Sequence, residues 1–141
     1  SLEAYYARYL PQAVLAAHGF EQPVAYFPLL AALDRLGPLS VGDLSQAVGV
    51  SQPVVTRSLR GMEDDGLVQS HTSEADRRVR RVGLSRQGRG LVQRAQRRAW
   101  PAIEAAVAQS CARLKGDLLG QLAALEDALA DRPLLQRVPE A

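Results

Sequence analysis

The stretch from Ser40 to Gly88 does most to limit what this chain can fold into. Ser40 stands before Val41–Val48, where Leu44, Ala47 and Val48 make one apolar stripe. Serine is a good helix N-cap, and Asp43 stands at the third position to assist it. Gly49 supplies a turn. Ser51 is then placed to cap a second helix, with Pro53 in its first turn, where a missing amide hydrogen is harmless. Val55, Leu59 and Met62, spaced four and three apart, form its inward face. Gln52, Pro53, Thr56, Arg57 and Arg60 are left largely on the other side, and Gly66 ends the helix as a left-handed cap.

Two strands come next, Leu67–Thr72 and Val79–Leu84, joined by the polar loop Ser73-Glu74-Ala75-Asp76-Arg77-Arg78. Two helices around a tight turn, then a hairpin with a cationic tip, place two DNA-reading elements side by side. A helix can enter the major groove while the hairpin reaches a neighbouring minor groove. The expected fold is mainly α with a small β-hairpin wing, a winged helix-turn-helix.

The flanks read as helices. Residues 3–17 read as a helix, with Leu2 just before it and Tyr6, Tyr9, Leu10, Val14 and Ala17 within it near helical spacing, and a second helix covers about 24–36, with Pro28 able to delay its start to Phe27. Ser85 is placed to cap a long helix to about Lys115, with a bend expected at Trp100-Pro101. Asp117–Ala130 forms the last helix, with Leu118, Leu122, Leu125 and Leu129 on one stripe, and Arg132-Pro133 stops it.

Composition sharpens the reading only through its distribution. The 141 residues carry 17 basic and 15 acidic side chains, a net charge of +2. Residues 51–100, however, hold eleven arginines against five acids, net +6, which leaves −4 for the remainder. That is one cationic face on an otherwise ordinary surface. All but one of the basic residues are arginine, which favours forked contacts to phosphate and guanine; a GC-rich coding sequence gives the same bias. The single cysteine, Cys111, excludes an internal disulfide. No apolar run approaches the ~20 residues that span a bilayer, so no membrane role is expected and a reducing cytoplasm is the default location.

The segments "LSVGDLSQAVGVSQPVVTRSLRGMEDDGLV" and "ADRRVRRVGLSRQGRGLV" resemble the MarR family of bacterial regulators over residues 36–92, and the flanking helices agree in order and length. The family's Asp-Arg-Arg wing followed by Leu-Thr-x-x-Gly occurs here with Ser85 in place of threonine, which keeps the cap. The resemblance implies a single domain of residues 1–141. Within it, 24–88 would be the DNA-binding lobe, 1–20 and 89–131 an intertwined helical dimerisation region, and 132–141 a tail or linker. It also implies a homodimer on a pseudo-palindromic double-stranded operator, acting as a repressor released by a small aromatic or phenolic effector.

Candidate residues emerge from both lines. Ser51, Gln52, Pro53, Thr56, Arg57 and Arg60 lie on the face of the second helix open to DNA. Glutamine can pair with adenine, arginine with guanine, and threonine can reach a thymine methyl or a phosphate. Gln52 and Arg57 are expected to read bases, and Arg60, one turn deeper, to hold a phosphate. The bland alternative is a solvated polar helix face. In the wing the candidates are Asp76, Arg77 and Arg78. By resemblance Arg78 enters a narrow minor groove, with Asp76 orienting it. Arg80 and Arg81 alternate across the returning strand, so at most one faces phosphates.

Tyr6, Tyr9, His18, Tyr26 and Trp100 are the candidates for an effector cleft, against the alternative that such aromatics build a core or a dimer seam. The family's peroxide-sensing branch keeps its reactive cysteine in the first helix, and Cys111 is far from there, so a small apolar role is expected of it. Neither a metal site, a cofactor nor a catalytic constellation is expected: two distant histidines and one cysteine give no ligand spacing. Two other readings stay open. One is a regulatory module of a longer polypeptide such as an acetyltransferase fusion, with Arg132–Arg137 beginning a linker. The other is a winged helix used only for protein contacts.

Overall fold

The computed structural model describes residues 12–72 and 78–137. The elements in chain order are α1 (Gln12–Ala17), α2 (Tyr26–Leu36), β1 (Leu39–Ser40), α3 (Val41–Val48), α4 (Gln52–Asp64), β2 (Val68–Thr72), β3 (Arg80–Leu84), α5 (Arg86–Ser110), α6 (Leu118–Asp131) and α7 (Leu134–Arg137). The chain is mainly helical with one small antiparallel sheet, the winged helix-turn-helix expected from the sequence. The first expected helix is described from Gln12 onward only; its earlier residues lie outside the described part.

The core gathers where four helices and the sheet meet. Phe27, Leu30, Leu44, Val55, Met62, Leu67, Val82 and Leu91 are all buried there. Phe27 is its centre: the Phe20 and Trp100 rings each meet it edge-on at 5.8 Å, tying α2 to the preceding loop and to α5. Helix α2 begins at Tyr26, ahead of Pro28, because Pro28 falls within the first turn, where no amide hydrogen is needed.

Several helix ends are built as the sequence indicates. The Ser40 hydroxyl accepts the Asp43 amide at 3.1 Å, and the Ser85 hydroxyl accepts that of Gly88 at 3.0 Å. At the end of α4 the Gly66 amide donates to Glu63 O and the Leu67 amide to Met62 O, with Gly66 at φ 69°. That is a Schellman closure, and it turns the chain from α4 into β2.

Other features depart from the sequence reading. The sheet has three strands, in the order β1-β3-β2, because Leu39 and Ser40 pair with Val82 and Arg81. Helix α5 ends at Ser110, five residues early. Residues 134–137, expected in a tail or linker, form the short helix α7. Among the described residues no helix is long and apolar enough to cross a membrane.

Candidate nucleic-acid interface

Helix α4 is held at both ends and along one side. Gly49, at φ 68°, makes the turn from α3, and the Ser45 hydroxyl donates to the Val50 carbonyl across it. Val55, Leu59 and Met62 face the core as expected. Tyr26 crosses from α2 against Gly61 so closely that a Cβ there would overlap the tyrosine hydroxyl and stand 3.1 Å from Cζ. A glycine inside a helix costs about 1 kcal/mol against alanine, so such a residue often marks a close approach; here it marks this one.

One expected contact is corrected. Ser51 occupies the N-cap position of α4, but its hydroxyl makes no cap hydrogen bond; only its carbonyl engages the helix, accepting the Val55 amide at 3.0 Å. Pro53 removes the second helical amide, but the third, that of Val54, is present at the position Ser40 and Ser85 use in their own helices, and the Ser51 hydroxyl does not engage it.

Ser51, Gln52, Pro53, Thr56, Arg57 and Arg60 are all exposed, so the structure gathers these six candidates on the outer side of one helix. Gln52 leans toward the start of α3: its Nε2 would lie 3.6 Å from a Cβ on Gly42. The charge along α4 is graded. Arg57 and Arg60 occupy its middle, while Glu63, Asp64 and Asp65 close its C-terminal end. The acidic end is put to internal use. Glu63 pairs with Arg80, and burial, then the charges of Asp65 and Asp64, raise the Tyr26 hydroxyl above its ordinary pKa.

Beside α4 stands the wing, β2 paired antiparallel with β3 in the register Ser70↔Val82, His71↔Arg81, Thr72↔Arg80. Arg78 is exposed in the turn that leads into β3. Asp76 and Arg77 lie outside the described residues. Arg80 and Arg81 take opposite faces, as strand alternation requires. Arg80 shares the face of the buried Val82 and Leu84, and Arg81 stands opposite His71 on the other.

The effector candidates are not gathered in the same way. Tyr6 and Tyr9 lie outside the described residues. Tyr26 is 8% exposed and belongs to the core, Trp100 is half-buried against Phe27, and His18 is half-buried in the turn after α1. A cavity of about 210 Å³ opens between the start of α2, the turn after α3 and α4, lined by Val24, Pro28, Val50, Val54 and their apolar neighbours. Neither His18, Tyr26 nor Trp100 lines it. Cys111 is a half-buried free thiol. Among the described residues no group of His, Cys, Asp and Glu side chains could hold a metal ion.

A family model described as "MarR family" matches residues 22–79, from the loop before α2 into the wing. Together with the solved structures described next, this match supports classification in the MarR family. A MarR family transcriptional regulator from Silicibacter pomeroyi is 25% identical; the match covers 94% of this chain and 84% of that one, with a TM-score of 0.64. BpsR of Bordetella bronchiseptica, solved in work on the regulation of its DNA binding by 6-hydroxynicotinic acid, is similar at 22% identity. The match covers 92% and 86% of the two chains, with a TM-score of 0.69. A variant of Escherichia coli MarR, solved in complex with operator DNA, is similar at 17% identity, covering 91% and 82%, with a TM-score of 0.65. The protein therefore has the fold of the MarR-family transcriptional regulators.

Proposed function

We propose that this MarR-family protein is a homodimeric, sequence-specific regulator that binds a pseudo-palindromic double-stranded operator as a repressor and is released by a small aromatic anion. One observation carries the reading. Five outward residues of α4 and its N-cap Ser51 are exposed, on a helix fixed by a glycine turn, a Schellman closure and the Tyr26–Gly61 contact, with Arg78 exposed in the adjacent wing. A polar face kept in place this firmly suits the reading of base edges, because little ordering remains to be done on binding. In this reading Gln52 and Arg57 contact bases, Arg60 a phosphate, Arg78 the minor groove, and Asp76 and Arg77 complete the wing.

The homodimer is inferred from α6. Among the described residues none of its side chains is buried, and Leu119, Leu122 and Leu125 are 49%, 39% and 54% exposed. A helix of this length without packing is marginal in water, so a second copy is the natural cover. Relatives in solved structures with operator DNA and with 6-hydroxynicotinic acid as regulator support the DNA and effector parts of the reading by fold.

The test is selection from a random duplex library by the purified protein, repeated with aromatic acids present. Recovery of an inverted repeat whose affinity falls with one of the acids is expected. Binding to all duplexes alike would refute sequence-specific recognition.

A further inference from the structure

The sequence leaves open which of Arg80 and Arg81 faces phosphates, but the structure gives Arg80 another employment. Its guanidinium ion-pairs with the Glu63 carboxylate, and its Nε donates to the Ser70 hydroxyl at 2.8 Å. The Ser70 hydroxyl in turn donates to the same Glu63 oxygen at 3.0 Å. The three groups close a triangle, each touching the other two. Glu63 belongs to the last turn of α4, Ser70 to β2 and Arg80 to β3, so the triangle joins the helix to both strands of the wing.

The register explains the meeting. Ser70 pairs with Val82 and Thr72 with Arg80, which puts Ser70 and Arg80 on the sheet face that turns toward α4. The Schellman closure then folds β2 back so that this face passes the end of the helix. Below the triangle the joint is apolar, since Met62, Val68 and Val82 are buried; above it the strands stand out into solvent. The triangle thus cross-links α4 to the wing beyond the apolar joint.

We propose that Glu63, Ser70 and Arg80 are positioning residues that fix the angle between the α4 reading face and the wing. Their part in operator affinity rests on the proposed DNA-binding function; the joint itself does not. Arg80 then contributes geometry, and the phosphate-facing duty of β3 falls to Arg81 on the opposite face. The side chains of Arg80 and Glu63 are 58% and 29% exposed, so salt screens their attraction, and the effect lies in angle more than in stability.

Electrostatics and geometry give opposite signs, which makes the idea testable. If Arg80 touched phosphate, Arg80→Ala would weaken binding and lower the salt slope by about one ion, while Glu63→Gln would tighten it by removing an acid near DNA. If the triangle sets the angle, E63Q and R80A each weaken operator binding by about two- to fivefold, the double variant loses no more than either, and the salt slope stays unchanged. A second arm needs no DNA. Residual dipolar couplings of the α4, β2 and β3 amides in the full chain report the wing angle in wild type, E63Q, S70A and R80A. A shared change of angle in all three variants is expected. Couplings that match wild type in E63Q and R80A overturn the proposal whatever the DNA result. Wild type that binds no operator would instead refute the functional reading and leave the couplings to decide the joint.

Discussion

Alanine placed at Gly88 or at Gly90, two residues apart in the first turns of α5, is expected to change stability with opposite signs. A glycine in a helix interior costs about 0.8–1.0 kcal/mol relative to alanine, so propensity alone favours both substitutions. Space decides between them. At Gly90 a Cβ would meet only Arg94 Nη1 at 3.6 Å, an ordinary contact with a side chain that can move. At Gly88 it would overlap the Leu67 carbonyl oxygen and stand 3.0 Å from the carbonyl carbon and 3.3 Å from Leu84 Cδ2. Leu67 and Leu84 are buried, and the obstructing atom is backbone.

The carbonyl cannot withdraw alone, because it accepts the Ser85 amide at 3.0 Å while the Ser85 hydroxyl donates to Gly66 O at 2.6 Å and caps α5. Overpacking costs roughly 1–3 kcal/mol and a weakened buried hydrogen bond about 1 more, against a propensity gain of at most about 1. Gly88→Ala should therefore lose about 2 kcal/mol and Gly90→Ala should gain up to about 1. For a chain of this size that is roughly 6 °C down and 2–3 °C up in Tm. Urea unfolding followed by circular dichroism, at one protein concentration for all variants, measures both. A Gly88→Ala protein as stable as wild type would show that the α5–β2 corner is slack and that the close approach has no energetic meaning.

Three further outcomes are expected. Arg57→Ala should cost about 1–3 kcal/mol at the selected operator and relax base preference there, whereas Arg60→Ala should weaken all duplexes alike and flatten the salt dependence; titrations on cognate and scrambled duplexes separate the two. Arg78→Ala should lower affinity more for operators with A·T-rich flanks than for the same half-sites with G·C flanks, and Asp76→Ala should imitate that loss weakly; tighter binding by Asp76→Ala would refute its orienting role. Light scattering at micromolar concentration should give the mass of two chains, and a mass of one would contradict the proposed homodimer.

Much of this fold was legible because its punctuation is local. Ser40 and Ser85 cap α3 and α5, and Gly49 and Gly66 turn where a left-handed residue is required. A helix with Val55, Leu59 and Met62 on one side could face the core in only one way. The features that escaped the sequence depend on distant neighbours. A two-residue strand such as β1 has no alternation to display. The sequence offered Tyr26 for an effector cleft or a core but could not say that Gly61 of another helix would receive it. Alternation assigned Arg80 and Arg81 to opposite sides of β3, yet it could not show that one side ends on Glu63. Ser51 holds the N-cap position of α4 without capping through its side chain, and its place three residues before an available amide does not set it apart in sequence from Ser40 and Ser85.

The two halves of the chain are stabilised in different ways. From α2 to the first part of α5, every element sends side chains to a common core, and the residues assigned to DNA are among those left outside. Among the described residues after Ile103 no side chain is buried. Ile103 is the last buried residue of α5, and from there to Asp131 the apolar side chains of Leu114, Leu119, Leu122 and Leu125 stay exposed. The same helix α6 carries Glu126, Asp127 and Asp131 and not one basic residue, whereas α5 carries Arg86, Arg89, Arg94, Arg97 and Arg98 before its first acid. An apolar and acidic helix therefore comes after a basic one within each chain. In the proposed homodimer each α6 would find apolar cover and opposite charge on its neighbour, and the two reading helices would acquire a fixed spacing that neither lobe can define alone.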